Sequence, residues 1–137
     1  MKVKLLHKDA KAPVRGSELS AGADIFASEA LWLHSGCTTL VPTGLTVKPE
    51  DGCYIRVAPR SSYALRDIHA VAGVVDADYR GEVKVALFNA SPHDIPLKKG
   101  SKIAQLIEEK IAIAPIEVVE DLDETVRGDG GFGSTGE

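Results

Sequence analysis

Clusters of turn-forming residues interrupt this sequence so often that no long helix fits between them. Pro42-Thr43-Gly44, Pro49-Glu50-Asp51-Gly52, Asp78-Tyr79-Arg80-Gly81, Asn89-Ala90-Ser91-Pro92 and Lys98-Lys99-Gly100 each read as a turn. The stretches between them carry apolar, β-branched or aromatic residues at every second position, as in Val3-Lys4-Leu5, Cys53-Tyr54-Ile55-Arg56-Val57 and Val83-Lys84-Val85-Ala86-Leu87. That is the period of a half-buried strand. Many short strands with turns between them predict an all-β fold, a barrel or a sandwich. The one helical candidate is Ser61-Ser62-Tyr63-Ala64-Leu65-Arg66, with Ser61 placed to cap it. It reads as a short helix in a loop between strands.

With 137 residues the chain makes one globular domain. Sixteen Lys and Arg against 20 Asp and Glu give a net charge of −4, which offers no electrostatic footing for a nucleic-acid backbone. The N-terminus turns charged at once, and no apolar run approaches the roughly 18–20 residues of a membrane span, so a soluble, intracellular protein with no membrane partner is expected. Cys37 and Cys53 form no Cys-x-x-Cys pair, and His7, His34, His69 and His93 are scattered, so a structural zinc site is not expected. The spacing leaves a disulfide open, but a chain of this size buries a core without one, and reduced, buried thiols are the reading preferred.

Composition shifts abruptly at Arg127. Of the eleven residues that follow from it, five are Gly and only Phe132 is apolar, so the segment has little surface with which to order itself alone. Gly128-x-Gly130-x-x-Gly133 matches the dinucleotide fingerprint in letters but precedes no helix, and no Gly-Lys-Ser/Thr loop occurs anywhere. Two readings stay open here. One is a disordered terminus; the other is a wrap in which backbone N–H groups, Arg127, Ser134 and Thr135 surround an anionic phosphate chain while Phe132 stacks on a base.

Two internal segments carry chemistry. Ala72–Val83 reads as a β-hairpin with Asp76, Asp78 and Tyr79 near its tip, where a carboxylate can take a proton from water or orient a sugar hydroxyl. Asp-rich turns are also commonly just turns. Pro59-Arg60-Ser61-Ser62 sets a guanidinium and two hydroxyls beside a helix start, an anion site or else capping plus a surface ion pair.

Together these segments resemble the trimeric dUTP diphosphatase (dUTPase) family, whose five short motifs stand here in order. They are Ala21-Gly22-Ala23-Asp24-Ile25, Pro59-Arg60-Ser61-Ser62, Gly73-Val74-Val75-Asp76-Ala77-Asp78-Tyr79-Arg80-Gly81, Gly100-Ser101-Lys102-Ile103-Ala104-Gln105-Leu106 and Arg127–Thr135. The resemblance implies a jelly-roll-like β-barrel over residues 1–126, a mobile tail over 127–137 that closes over substrate, and a homotrimer with shared active sites. It implies hydrolysis of dUTP to dUMP and pyrophosphate by water attacking the α-phosphorus. Asp76 would be the catalytic carboxylate. Gly73, Val74 and Val75 would read uracil through their backbone, Tyr79 would exclude a ribose, and Phe132 would stack on the base. Arg60, Ser61, Ser62, Gln105, Arg127, Gly133, Ser134 and Thr135, with Lys84 beside them, would hold phosphates. Mg2+ would be carried chiefly by those phosphates, with Asp24 reaching it through water.

Departures from the family pattern fall at Ala23, Ser62 and Tyr63, and Ser62 would be strained if its position needs a positive φ. Arg60 is an expected ion-pair partner of Asp24, while Asp78, Arg80 and Glu82 read as turn and surface structure and Trp32 as core or interface packing. The rivals are a related deaminase, which needs a different pocket, and a barrel that binds nucleotide without turnover.

Overall fold

Alternation along the strands builds two sheets face to face. The computed structural model describes residues 1–131. Strands β1 (Lys2–Leu5), β2 (Val14–Arg15), β3 (Ala23–Phe26), β4 (Leu31–Leu33), β5 (Thr38–Lys48) and β6 (Cys53–Ala58) lead into a single-turn helix α1 (Ser61–Ala64). Strands β7 (Ile68–Val71), β8 (Val74–Val75), β9 (Val83–Asn89), β10 (Ile95–Leu97) and β11 (Lys102–Lys110) complete the barrel. One sheet runs β1-β5-β9-β7, the other β2-β3-β11-β6-β8, and β10-β4 forms a small pair. The expected all-β class is what the chain adopts, and its architecture is jelly-roll-like. Among the described residues no helix is long and apolar enough to cross a membrane.

In β9 the side chains of Val83, Val85 and Leu87 point inward, and in β6 those of Ile55 and Val57 do. They meet Ile25, Leu33, Val41, Leu45, Ile103 and Leu106 in one core. Burial of these side chains, each contributing about 1.5–3 kcal/mol, is the main force closing the two sheets on each other. Asn89 is the polar exception: its amide donates to the Leu33 and His93 carbonyls, both at 2.8 Å, and its oxygen accepts from Ser91, which knots the expected Asn89–Pro92 turn.

Several local expectations are corrected. Pro42-Thr43-Gly44 is no turn, because β5 runs straight through it from Thr38 to Lys48. The ladder to β9 steps from Pro42↔Lys84 to Leu45↔Val83, so Thr43 and Gly44 form a bulge, with Gly44 at φ 69°. Residues Val3 and Leu5 on β1 are exposed rather than half-buried, since β1 is the outer strand of its sheet. The helix cap is Arg60, not Ser61, and it makes no side-chain cap bond. Ser62 lies inside that helical turn, so the positive φ that would strain it does not arise; among the described residues Asp67 and Ala72 are the non-glycine residues with positive φ. Both cysteines are free, as preferred, but only Cys53 is buried and Cys37 is exposed. Trp32 is 55% exposed and so is not core packing.

The Gly44 bulge yields a sharp comparison. A Cβ there would lie 2.6 Å from the His7 ring and 2.7 Å from Ala10 Cβ, whereas at Gly36, with the same φ of 69°, it would meet nothing within 4 Å. Gly36→Ala is expected to cost about 1 kcal/mol and Gly44→Ala about 3 kcal/mol in urea unfolding. Equal losses would mean that the bulge is not sterically closed.

Candidate active site

The Asp76 segment is built by a change of sheet. β7 pairs with β9, matching Val71 to Ala86, yet between these two strands the chain leaves that sheet and sends β8 to pair with β6. The expected hairpin is therefore corrected: the residues on either side of Asp76 belong to different sheets, because β8 and β9 share no ladder. Gly73 makes the departure feasible. Its carbonyl accepts from the Val57 N–H at 2.8 Å, and at φ 155° a Cβ would sit 2.6 Å from the Val57 carbonyl oxygen.

β8 is the outer strand of its sheet. Since Gly73 bonds toward Val57 and Val75 stands opposite Ile55, antiparallel alternation turns the N–H and C=O of Val74 away from β6. A free donor and acceptor thus sit side by side on a 72% exposed residue. Its cross-strand partner Arg56 is held by Glu109, Nε to Oε1 at 2.6 Å, while the Tyr54 hydroxyl donates to the other oxygen at 2.6 Å. The Tyr54 hydroxyl and then the guanidinium hold the Glu109 carboxyl below the usual carboxylate range.

After β8 the chain turns tightly. The Tyr79 N–H donates to the Asp76 carbonyl at 3.1 Å, and the Arg80 guanidinium closes the turn on the Ala77 and Tyr79 carbonyls, both at 2.8 Å. Tyr79 lies over Gly81, where any Cβ would collide with its ring and hydroxyl. Asp76 and Tyr79 line a cleft of about 320 Å³ together with Leu40, Val74, Val75, Glu82, Val83 and Lys84. Two carboxylates, Asp76 and Glu82, one cation, one aromatic ring and an apolar floor thus share a hollow of the size that takes a small ligand.

A second cluster lies where β3, β11 and β6 meet. Arg60 Nε is 3.1 Å from Asp24 Oδ1 and Lys102 Nζ is 2.8 Å from Oδ2, so the expected Arg60–Asp24 ion pair is present. Gln105 donates to the Pro59 carbonyl at 3.0 Å and packs where Gly22 has no side chain. Ser61 and Ser62 are exposed at the start of α1. Of the expected phosphate residues, Lys84 lines the Asp76 cleft while Arg60, Ser61, Ser62 and Gln105 do not, so in one chain these four stand apart from the expected catalytic carboxylate. Pro59, however, shares a hollow of about 330 Å³ with Gly73 and Val74.

Arg127 turns back to donate to the Gly130 carbonyl at 2.9 Å, within a segment from residue 111 to 131 that joins no strand or helix. Phe132, Gly133, Ser134 and Thr135 lie outside the described residues. Sequence reasoning missed Leu40, an exposed apolar residue of β5 whose outward position was hidden by reading the next segment as a turn, and it left Glu82 to surface structure.

The comparisons are consistent with one another. A dUTPase family model matches residues 8–136. The deoxyuridine 5'-triphosphate nucleotidohydrolase of Arabidopsis thaliana is 52% identical over 136 residues, covering 98% of this chain and 82% of that protein. The enzyme of the same name from Debaryomyces hansenii is 51% identical, covering 99% and 87%. Among solved structures, a mutant dUTPase of Staphylococcus bacteriophage 80alpha with dUpNHpp superposes with a TM-score of 0.94 at 25% identity, over 99% of this chain and 98% of that one.

The approach of Gly73 to Val57 is testable by itself. Gly73→Ala is expected to cost about 1–3 kcal/mol, by displacing β8 from β6, and to speed hydrogen exchange of the Val57 amide. An unchanged Val57 amide would show that β8 is not held this way.

Proposed function

The chain belongs to the dUTPase family, and from that premise we propose that its Asp76 cleft hydrolyses dUTP to dUMP and pyrophosphate. The observation that carries the reading is the convergence of Asp76, Tyr79 and the free backbone edge of Val74 on one cleft. The first supplies a carboxylate to orient and deprotonate a water for in-line attack on the α-phosphorus. The ring of Tyr79 supplies a flat wall for deoxyribose that leaves no room for a 2′-hydroxyl. At Val74, the adjacent N–H and C=O match the alternating acceptor and donor of a uracil edge, and the backbone of Gly73 and Val75 fixes their placing. On this reading a thymine methyl would be rejected sterically, and cytosine would offer a donor where an acceptor is needed.

The phosphate-binding roles of Arg60, Ser61, Ser62, Gln105, Arg127, Gly133, Ser134 and Thr135 are part of the same proposal, with Lys84 at the cleft wall. Arg60 contributes first as the partner of Asp24, since its Nε is committed there at 3.1 Å. Residues standing apart in one chain come together in a homotrimer whose sites lie between subunits. That assembly is supported by the apolar side chains left exposed, among them Leu40, Val74, Ile113, Ile116, Val118 and Leu122. The last strand ends at Lys110, short of the 1–126 bound expected for the barrel domain, and the exposed chain of residues 111–129 leads into the tail, 127–137, that in this proposal closes over substrate bound to the assembly.

Mg2+ is the cofactor in this proposal. Among the described residues no three His, Cys, Asp or Glu side chains gather as a metal site, and both oxygens of Asp24 already face cations. Such a donor set fits an ion that arrives on the triphosphate and keeps its water shell, with Asp24 reaching that shell, because Mg2+ dehydrates reluctantly. When bound, the ion would neutralise charge building on the phosphate oxygens.

The test separates binding from chemistry. Asp76→Asn is expected to bind dUpNHpp within a few-fold of the parent affinity while turning over dUTP on the order of 10²-fold more slowly, or worse. Near-normal turnover would remove Asp76 from the mechanism.

A further inference from the structure

Glu82 touches both the bulge of β5 and the tyrosine of the cleft. Its carboxylate Oε1 accepts the Gly44 N–H at 2.8 Å, a donor that faces no ladder partner because the bulge has pushed it out of register with β9. Its backbone carbonyl accepts the Tyr79 hydroxyl at 3.2 Å. Its second oxygen stands 3.9 Å from Lys84 Nζ, and the side chain is about three-quarters buried. Neighbouring tethers fix the same end of the segment to β5: Thr46 donates to the Arg80 carbonyl at 3.0 Å and Thr43 to the Val83 carbonyl at 2.5 Å. Of these, only Glu82 joins β5 directly to the residue that holds the Tyr79 hydroxyl.

We propose that Glu82 is a positioning residue that sets sugar discrimination, by clamping the tyrosine-bearing loop to the Gly44 bulge and so fixing where the Tyr79 ring stands. The inference rests on the reading of the cleft as a dUTP site. Its physical basis is that steric rejection works only if the rejecting wall cannot yield. A ring hung from a carbonyl is as rigid as the residue owning that carbonyl. The ring lies directly over Gly81, where a Cβ would collide with it, so its placing follows that of the Gly81–Glu82 backbone, which the Glu82 carboxylate ties to the bulge. What the clamp needs from Glu82 is an acceptor of the right reach, not a charge, so glutamine should serve and a shorter or missing side chain should not.

The experiment measures kcat and KM for dUTP and for UTP with the parent chain, Glu82→Ala, Glu82→Asp and Glu82→Gln, in the presence of Mg2+. Glu82→Ala and Glu82→Asp are expected to lower the dUTP-to-UTP ratio of kcat/KM about tenfold or more, chiefly by raising kcat/KM for UTP as the Tyr79 wall yields. Glu82→Gln is expected to keep the ratio within about twofold of the parent. If Glu82→Ala does not fold, Glu82→Asp carries the comparison. An unchanged ratio in the shortened variants, or a loss in Glu82→Gln as large as in Glu82→Asp, would overturn the proposal while leaving the dUTP reading intact. A parent chain inert toward dUTP would overturn both.

Discussion

The site depends on one strand pairing that crosses between sheets. β7 and β9 are partners in the four-stranded sheet, and the chain between them must leave it, dock two residues on β6 and return within the span from Val71 to Val83. Nothing but a backbone-to-backbone approach allows so short a detour, which is why Gly73 stands with its Cα against the Val57 carbonyl. The detour leaves Val74 on an outer edge and Asp76 and Tyr79 on the turn that follows. The chemistry proposed for them follows from where the chain was forced to go.

The opposite wall of the cleft is fixed by the bulge of β5. Thr43 and Gly44 are surplus to the ladder, and the backbone groups of Gly44 are satisfied by the Asp76 segment and the N-terminal one: its N–H donates to Glu82 and its carbonyl accepts from Leu6, while the Thr43 hydroxyl adds a bond to the Val83 carbonyl. A bulge that would otherwise leave buried donors unpaired, at a cost of about 1–3 kcal/mol each, thereby becomes the anchor of the functional loop. Stability and placement come from the same bonds. The second cluster, Asp24 between Arg60 and Lys102, uses charge in the same way to pin the start of α1 onto β3 and β11.

The strands were legible because their period is local. Cys53–Val57 and Val83–Leu87 alternate in the sequence and alternate in burial. The functional motifs were legible as letters for the same reason, and Arg60 with Asp24 paired as expected. Partner choice is not local: nothing between Ala72 and Val83 says that its two halves belong to different sheets, since a hairpin and a crossover ask for the same turn residues. Pro42-Thr43-Gly44 failed likewise, because a turn and a bulge both call for a glycine at positive φ. The contact of Glu82 with Gly44 was hidden because the two residues, thirty-eight positions apart, meet only across the sheet. The assembly proposed for this chain would rest on surfaces, and exposed residues such as Leu40 and Val74 declare themselves only once the barrel is folded.

The measurement that bears most directly on this account is pyrophosphate release by the purified chain with Mg2+, offered dUTP, dTTP, dCTP and UTP in parallel. Release from dUTP alone is the predicted result, since it requires the Asp76 water, the Val74 edge and the Tyr79 wall to act together. Equal release from all four would contradict the assigned uracil and sugar selectivity, and release from none while dUTP binds would leave a nucleotide-binding barrel without the chemistry.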